Sequence, residues 1–219
     1  KERVGKKGVI LSERTALVLK IIHKLFEDKS KVRILDVGCN SGAFLNELKQ
    51  ALIEENCARK VSLEGIDIDK VATQNPIDNE IILHHSSAEE FVAKTEHKFD
   101  LILHFELIEH LHNPYEFCCA LYKLLNDKGL MYFHTPNALG LDNTVLSYNE
   151  FRPLAHGIFP PMHLNSFTTQ NITYFLIRCG FNVNKIETPG NFDVDIVRQF
   201  GSEESKLSVI NEISDEKSL

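Results

Sequence analysis

Short apolar runs alternate with longer stretches of helical period along most of the chain. Residues 12–26 set Leu17, Leu19, Ile21, Ile22 and Leu25 at near-helical spacing, and Ser12 with Glu13 supplies a start signal, so a first helix is expected there. Residues 31–37 (KVRILDV) form an apolar strand candidate, residues 38–42 turn on two glycines, and residues 44–53 return to a helical pattern. The same rhythm recurs. Strands are expected at 61–68, 81–85, 99–104 and 129–135, with helices at 70–74, 89–94 and 114–125; the last carries Phe117, Ala120, Leu121, Leu124 and Leu125 on one side. Strands that are apolar along their whole length suit a parallel sheet covered on both faces. The β–α alternation therefore predicts an α/β, doubly wound, mostly parallel sheet with helices on both faces.

From 136 to 168 the rhythm breaks into a long connection rich in Asn, Pro, His and aromatic residues, the kind of segment that builds lids and binding loops. A helix at 169–179, stopped by Gly180, and a strand at 181–187 follow. A short apolar run, DVDIV at 193–197, precedes a polar, acidic tail. The expected organisation is an N-terminal helical segment (1–30), one domain (31–200) with an acceptor loop at 136–168, and a polar tail (201–219), the final sheet strand being weak or missing.

Composition narrows this picture. A chain of 219 residues supports a single well-buried core. The net charge of −7, from 24 Lys and Arg against 31 Asp and Glu, weighs against a nucleic-acid partner and for a small-molecule one. Five cysteines without a C-x-x-C pair fit neither a zinc ribbon nor a disulfide framework and favour a reducing, cytoplasmic setting. No run is long enough to span a membrane, and the charged start KERVGKKG lacks the apolar core of a signal peptide. A start at Lys1 rather than Met reads as a piece of a longer chain.

The strongest chemical signal is ILDVGCNSG, residues 34–42, where an apolar strand feeds a tight turn and a helix start. Glycines there admit close backbone approach by a ligand, and the free N–H groups with the helix dipole favour a polar or anionic group. Cys39, Asn40 and Ser41 separate Gly38 from Gly42, so the dinucleotide pattern G-x-G-x-x-G is absent, as is a P-loop lysine. A nicotinamide oxidoreductase and an ATPase both lose ground. Asp67 ends the next strand about 25 residues beyond Gly42, near the roughly 20 expected of a carboxylate that holds ribose hydroxyls. Asp69 falls past the strand and is expected to cap the following helix.

These motifs, in this order, resemble the class I S-adenosylmethionine-dependent methyltransferases, and within them the ubiquinone-biosynthesis O-methyltransferase branch; the resemblance runs from Val32 to about Phe181. It implies a Rossmann-like enzyme with S-adenosyl-L-methionine as cofactor and S-adenosyl-L-homocysteine as product. By that resemblance Asp36, Gly38, Asn40 and Gly42 line the methionine end of the cofactor, Asp67 binds the ribose and Ile68 packs on the adenine. Ser87, Ala88 and Glu89 edge the base, while His104, Phe105 and Glu106 face the reacting methyl. Asn40 stands where the family has a glycine, and Asn is among the residues most tolerant of positive φ.

In the stretch Glu106-Leu-Ile-Glu109-His110, a helical turn sets Glu106, Glu109 and His110 on one face. Together with His163, or His156, they form a candidate site for Mg²⁺ or Mn²⁺, similar to the E-x-x-E-H sites of some ubiquinone-pathway and small-RNA methyltransferases. The competing reading is structural, with the acids serving a helix start. His156 and His163 lie in the aromatic loop with Tyr148, Phe151, Arg152 and Phe159, which suits an acceptor pocket. His110 and His163 are the candidate catalytic bases. The resulting expectation is O-methylation of a small hydroxyl-bearing acceptor such as a sugar, a sugar nucleotide or a quinone-like precursor, by in-line displacement at the sulfonium. The segment TPGNFDVDIV resembles one in surface-polysaccharide methyltransferases and favours the sugar. The alternatives are an N-methyltransferase, a nicotinamide oxidoreductase and a non-catalytic cofactor-binding module.

Overall fold

The computed structural model describes residues 3–4, 10–26, 29–140 and 160–189. A short antiparallel pair, β1 (Arg3–Val4) and β2 (Ile10–Leu11), precedes α1 (Glu13–Phe26). Ser12 caps α1 as expected, its Oγ accepting from the Thr15 N–H at 3.2 Å. The main body is a five-stranded parallel sheet in the order β5-β4-β3-β6-β7. Its strands are β3 (Val32–Val37), β4 (Val61–Asp67), β5 (Ile82–His85), β6 (Phe99–Phe105) and β7 (Leu125–His134). Between them lie α2 (Ala43–Glu54), α3 (Lys70–Gln74), α4 (Ala88–Lys94) and α5 (Pro114–Leu124). This is the doubly wound α/β fold predicted from the alternation.

The central strands β3 and β6 are buried along nearly their whole length, which is why they carry no polar alternation. Val18 and Ile22 of α1 and Leu48 and Leu52 of α2 pack on Ile34, Leu101 and Leu103, one face of the sheet. The alternate residues of β6 face the other way, where the His104 ring meets Phe117 of α5. The chain runs outward from β3 through β4 to β5, then returns to β6 on the other side of β3. That reversal leaves a crevice beyond the carboxyl ends of β3 and β6, the place where such sheets bind ligands.

Two expectations are corrected. β7 starts at Leu125, not 129, because α5 ends at Leu124 and Leu125 already pairs with Phe99 before the register shifts to Leu101 opposite Leu130. Gly129 serves that shift: a Cβ there would stand 2.9 Å from the carbonyl oxygens of Asn126 and Phe99. Residues 181–187 form no strand; Phe181 and Val183 are half-buried and their neighbours exposed, but the apolar alternation finds no partner ladder among the described residues. Among the described residues β7 is thus the last strand of the sheet.

The chain divides into two units, Lys1–Leu107 with Tyr115–His134, and Ile108–Pro114 with Thr135–Leu219. The first contains the sheet. The second contains α6 (Thr169–Arg178), started by a capping box in which Thr168 and Asn171 satisfy each other's backbone N–H.

Candidate functional site

The glycine turn after β3 is built from three residues with positive φ: Gly38 (77°), Asn40 (51°) and Gly42 (81°). The N–H groups of Gly38 and Cys39 both donate to the Ile66 carbonyl, at 2.9 and 3.2 Å, and stitch the turn to β4. Asn40 sustains its left-handed backbone with its own side chain, whose Oδ1 accepts from Ser41 N at 2.8 Å. Asp67 supplies the other half of the lock. Its Oδ2 accepts from Asn40 N at 2.7 Å and its Oδ1 from Asp69 N at 2.8 Å. The glycine turn and the acidic strand end, which sequence reading paired by spacing, are therefore joined by hydrogen bonds. Asp69 caps α3 as expected, accepting from Val71 and Ala72.

Asp36 lies at the root of the turn, 3% exposed. Burial pushes its carboxyl up to about 7; the Arg14 guanidinium opposes that rise and the Asp67 carboxylate adds to it. Cys39 is buried beside them, and its thiol, pushed up to about 12 mainly by burial, stays protonated. Arg14 is the residue that sequence reading missed. It projects from the first turn of α1, with Cζ 4.3 Å from the Phe105 ring centroid and 5.6 Å from that of Phe44. Its N–H groups make no hydrogen bond among the described residues. The available signal was a lone cation at the head of an apolar helix.

The remaining predicted cofactor residues fall as follows. Ile68 is 76% exposed at the end of β4, an apolar surface open to a ligand. Ser87 caps α4 by accepting from Glu90 N at 3.2 Å, Ala88 is buried behind it and Glu89 is exposed. Ser86 N donates to the Asp67 carbonyl, which ties this helix start to the Asp67 corner. Phe105 ends β6 half-buried. The His104 ring is fully enclosed between Phe133, stacked at 4.5 Å, and Phe117; neither ring nitrogen has a hydrogen-bond partner among the described residues, and burial pushes its pKa down to about 3. Its imidazole is a neutral core ring, so this position can serve a ligand only through its main chain.

In the second unit, Glu109, His110 and His163 bring one ligand atom each to within 4.8 Å of one another. Glu109 is 1% exposed: its Oε2 accepts from Thr135 Oγ1 at 3.0 Å, and its Oε1 has no hydrogen-bond partner among the described residues. The Nδ1 of His110 lies 2.6 Å from the Met162 carbonyl, which accepts only from a protonated nitrogen. The lone pair is thereby left on Nε2, 3.8 Å from the orphan Oε1. The His163 ring stands edge-on to His110 at 4.5 Å. Asn165 holds the loop in place by donating through Nδ2 to the Leu111 carbonyl at 2.7 Å.

Glu106 does not share this group. Only Ile108–His110 forms a short 3-10 turn, and Glu106 precedes it with φ at 48°, so the single helical face expected for Glu106, Glu109 and His110 does not exist. His156, Tyr148, Phe151, Arg152 and Phe159, together with 193–197, lie outside the described residues.

Comparison with known proteins gives the family. Residues 10–186 match a family described as a methyltransferase domain. The chain belongs to that family, among the class I S-adenosylmethionine-dependent methyltransferases. Two relatives named ubiquinone biosynthesis O-methyltransferase, from Aromatoleum aromaticum and Pelagibacter ubique, are each 31% identical, over 111 and 121 residues. Those matches cover 48% and 53% of this chain and 44% and 45% of the relatives, so the chain spans about half the length of the curated relatives it matches. Among solved structures, the plantazolicin methyltransferase BpumL, crystallised with a triazolic desmethylPZN analog and SAH, is similar with a TM-score of 0.57 at 20% identity, covering 75% of this chain and 61% of that one. A putative methyltransferase from Bacillus halodurans gives 0.57 at 16% identity over 90% and 82% of the two chains. These likenesses establish the methyltransferase fold. No helix among the described residues is long and apolar enough to cross a membrane.

Proposed function

We propose that the protein transfers the methyl group of S-adenosylmethionine to a hydroxyl oxygen of a small acceptor. The observation that carries this reading is the Asp67 lock. A strand-end carboxylate already fixed by two backbone N–H groups is preorganised for ribose hydroxyls, because each of its oxygens keeps lone pairs for further donors. Gly38, Asn40 and Gly42 present an open main chain to the methionine end. The buried Asp36 carboxyl and the Arg14 guanidinium suit, respectively, the ammonium and the carboxylate of that zwitterion. Ile68 offers its exposed side chain to the adenine, with Ser87, Ala88 and Glu89 at the base edge. The curated relatives, named O-methyltransferases, favour oxygen over nitrogen. The sulfonium is already a good leaving group, so the protein's part is alignment, exclusion of water and removal of the acceptor proton.

Calorimetry with S-adenosylhomocysteine tests the reading. We expect micromolar binding by the native chain and a loss of about 100-fold or more for Asp67→Ala, since a removed charge-assisted pair costs about 1.5–3 kcal/mol and the turn loses its lock as well. Absence of binding by the native chain overturns it.

The Glu109, His110 and His163 group supports a second element, a bound divalent cation. An orphan buried carboxylate oxygen and a histidine tautomer set with Nε2 free are what a ligand set requires, and two imidazoles favour Mn²⁺ or Zn²⁺ over Mg²⁺. Bound there, the cation would supply Lewis-acid polarisation of an acceptor oxygen. Elemental analysis after dialysis against Mn²⁺ or Zn²⁺ is expected to find about one ion per chain, lost in Glu109→Ala. Equal metal content in the two proteins removes the cation from the reading.

A further inference from the structure

At the carboxyl end of β7 a pair of polar side chains stands on an otherwise apolar face. Tyr132 and His134 are two residues apart, so both leave the same side of the strand, and the phenol oxygen lies 2.7 Å from His134 Nε2. Leu101, Leu103 and Leu130 on the same face belong to the hydrophobic core, so packing alone does not call for an imidazole here. The backbone of this corner is fixed as well, the Glu106 N–H donating to the His134 carbonyl at 3.0 Å. The Nδ1 of His134 has no hydrogen-bond partner among the described residues.

Phe105 connects this pair to the cofactor turn. Its ring meets Tyr132 at 6.2 Å and His134 at 5.3 Å, both edge-on, and on another side meets Phe44 at 5.1 Å, two residues past Gly42. Leu107, just beyond β6, has Cδ2 3.2 Å from where a Cβ on Gly38 would stand. The rings of Phe105 and Phe44 thus link the pair, at the carboxyl ends of β6 and β7, to the start of the helix that follows the donor turn.

We propose that His134, oriented by Tyr132, is the base that receives the acceptor's hydroxyl proton; this rests on the methyl-transfer reading above. In the tautomer that serves this role Nε2–H donates to the Tyr132 oxygen, which leaves the Nδ1 lone pair for the acceptor. As the acceptor oxygen bonds to the methyl carbon, the C–S bond breaks with its electron pair staying on sulfur, and the O–H proton passes to Nδ1. The positive charge lost from the sulfonium reappears on the imidazolium. The groups facing His134 are Tyr132 on its own strand, the Phe105 ring of the neighbouring strand and Arg14 from α1; the neutral His104 ring lies on the opposite face of the sheet. Burial and the Arg14 charge hold the His134 ring below the usual histidine range, so it is unprotonated at neutral pH and sheds its proton readily after each turnover.

The test follows S-adenosylhomocysteine release from S-adenosylmethionine with two probe acceptors. Catechol keeps its hydroxyl proton at mildly alkaline pH, whereas 4-nitrocatechol has already lost one. His134→Gln should lower the catechol rate by about 100-fold and the 4-nitrocatechol rate by less than about tenfold, because a base matters only where a proton must leave. Tyr132→Phe, a gentler change, should give the same ordering with a smaller loss. Calorimetric affinity for S-adenosylhomocysteine should stay at the native value in both variants. Equal losses on the two probes, no loss on either, or no probe-dependent turnover by a native chain that binds S-adenosylhomocysteine would each overturn the proposal. A native chain that fails to bind S-adenosylhomocysteine overturns the methyl-transfer reading, and this proposal with it.

Discussion

Gly65 shows how one missing side chain shapes the donor turn. It lies in β4 opposite Asp36, and a Cβ there would stand 2.6 Å from Cys39 Sγ and 2.8 Å from Leu83 Cδ2. Cys39 is one residue from Asn40, so the turn rests on the space that Gly65 leaves. Gly65→Ala is expected to destabilise the fold by about 1–3 kcal/mol, as overpacking does, and to weaken S-adenosylhomocysteine binding in parallel; urea unfolding and calorimetry check the two effects. Asn40 is the complementary case. Its φ of 51° was anticipated from the tolerance of Asn for the left-handed region, but the Oδ1 acceptor for Ser41 N was not. Asn40→Ala should cost about 1–2 kcal/mol while Asn40→Gly is better tolerated, since alanine keeps the Cβ penalty of the left-handed region without the compensating hydrogen bond and glycine removes both.

At the scale of elements, the sequence was most informative where period and cap agreed. Ser12 and Asp69 were expected as caps and each places a side-chain acceptor on a free N–H; Ser87 and Thr168, not expected as caps, do the same in the structure. Thr168→Ala should remove about 1 kcal/mol from α6 and be visible as faster amide exchange in its first turn. The sequence misled where an element depends on a partner. Residues 181–187 have a strand-like alternation yet form no ladder, and Glu106 has helical spacing to Glu109 and His110 yet lies before their short turn. Alternation states only which side of a segment is apolar, whereas a strand needs a second chain segment to exchange hydrogen bonds with.

For the whole molecule, buried carboxylates set the response to pH. Asp100 accepts from Lys29 Nζ, Arg33 N and Asn126 Nδ2, and Glu64 accepts from Arg33 Nη2 at 2.7 Å beside His84. These partners outweigh burial and hold both groups below their ordinary values of 3.8 and 4.5. A lowered carboxylate contributes stability that is complete above its unfolded value and lost as pH falls through its folded value. Asp36 has the opposite sign: raised from 3.8 to about 7, it favours the folded state fully below 3.8, and that contribution is lost as pH rises to about 7. Urea midpoints without ligand should therefore fall in acid below about pH 4 as Glu64 and Asp100 protonate. They should also decline from about pH 4 to 7, and Asp36→Asn should remove that second decline only.

Read alone, the amino-acid sequence determined the order of strands and helices, the glycine turn and the carboxylate at the next strand end. Each of these is written in residues that lie close together, in a period, a cap or a φ that few side chains tolerate. Even the pairing of the turn with Asp67 followed from spacing, although the bond itself joins residues 27 apart. Only the tertiary structure decided what stands around that turn. It brings Arg14 over the ring of Phe105, sets His134 against Tyr132 at the edge of the same ring, and carries His163 to Glu109 and His110. No local pattern specifies such meetings, because they are set by which strands become neighbours in the sheet and where each loop returns.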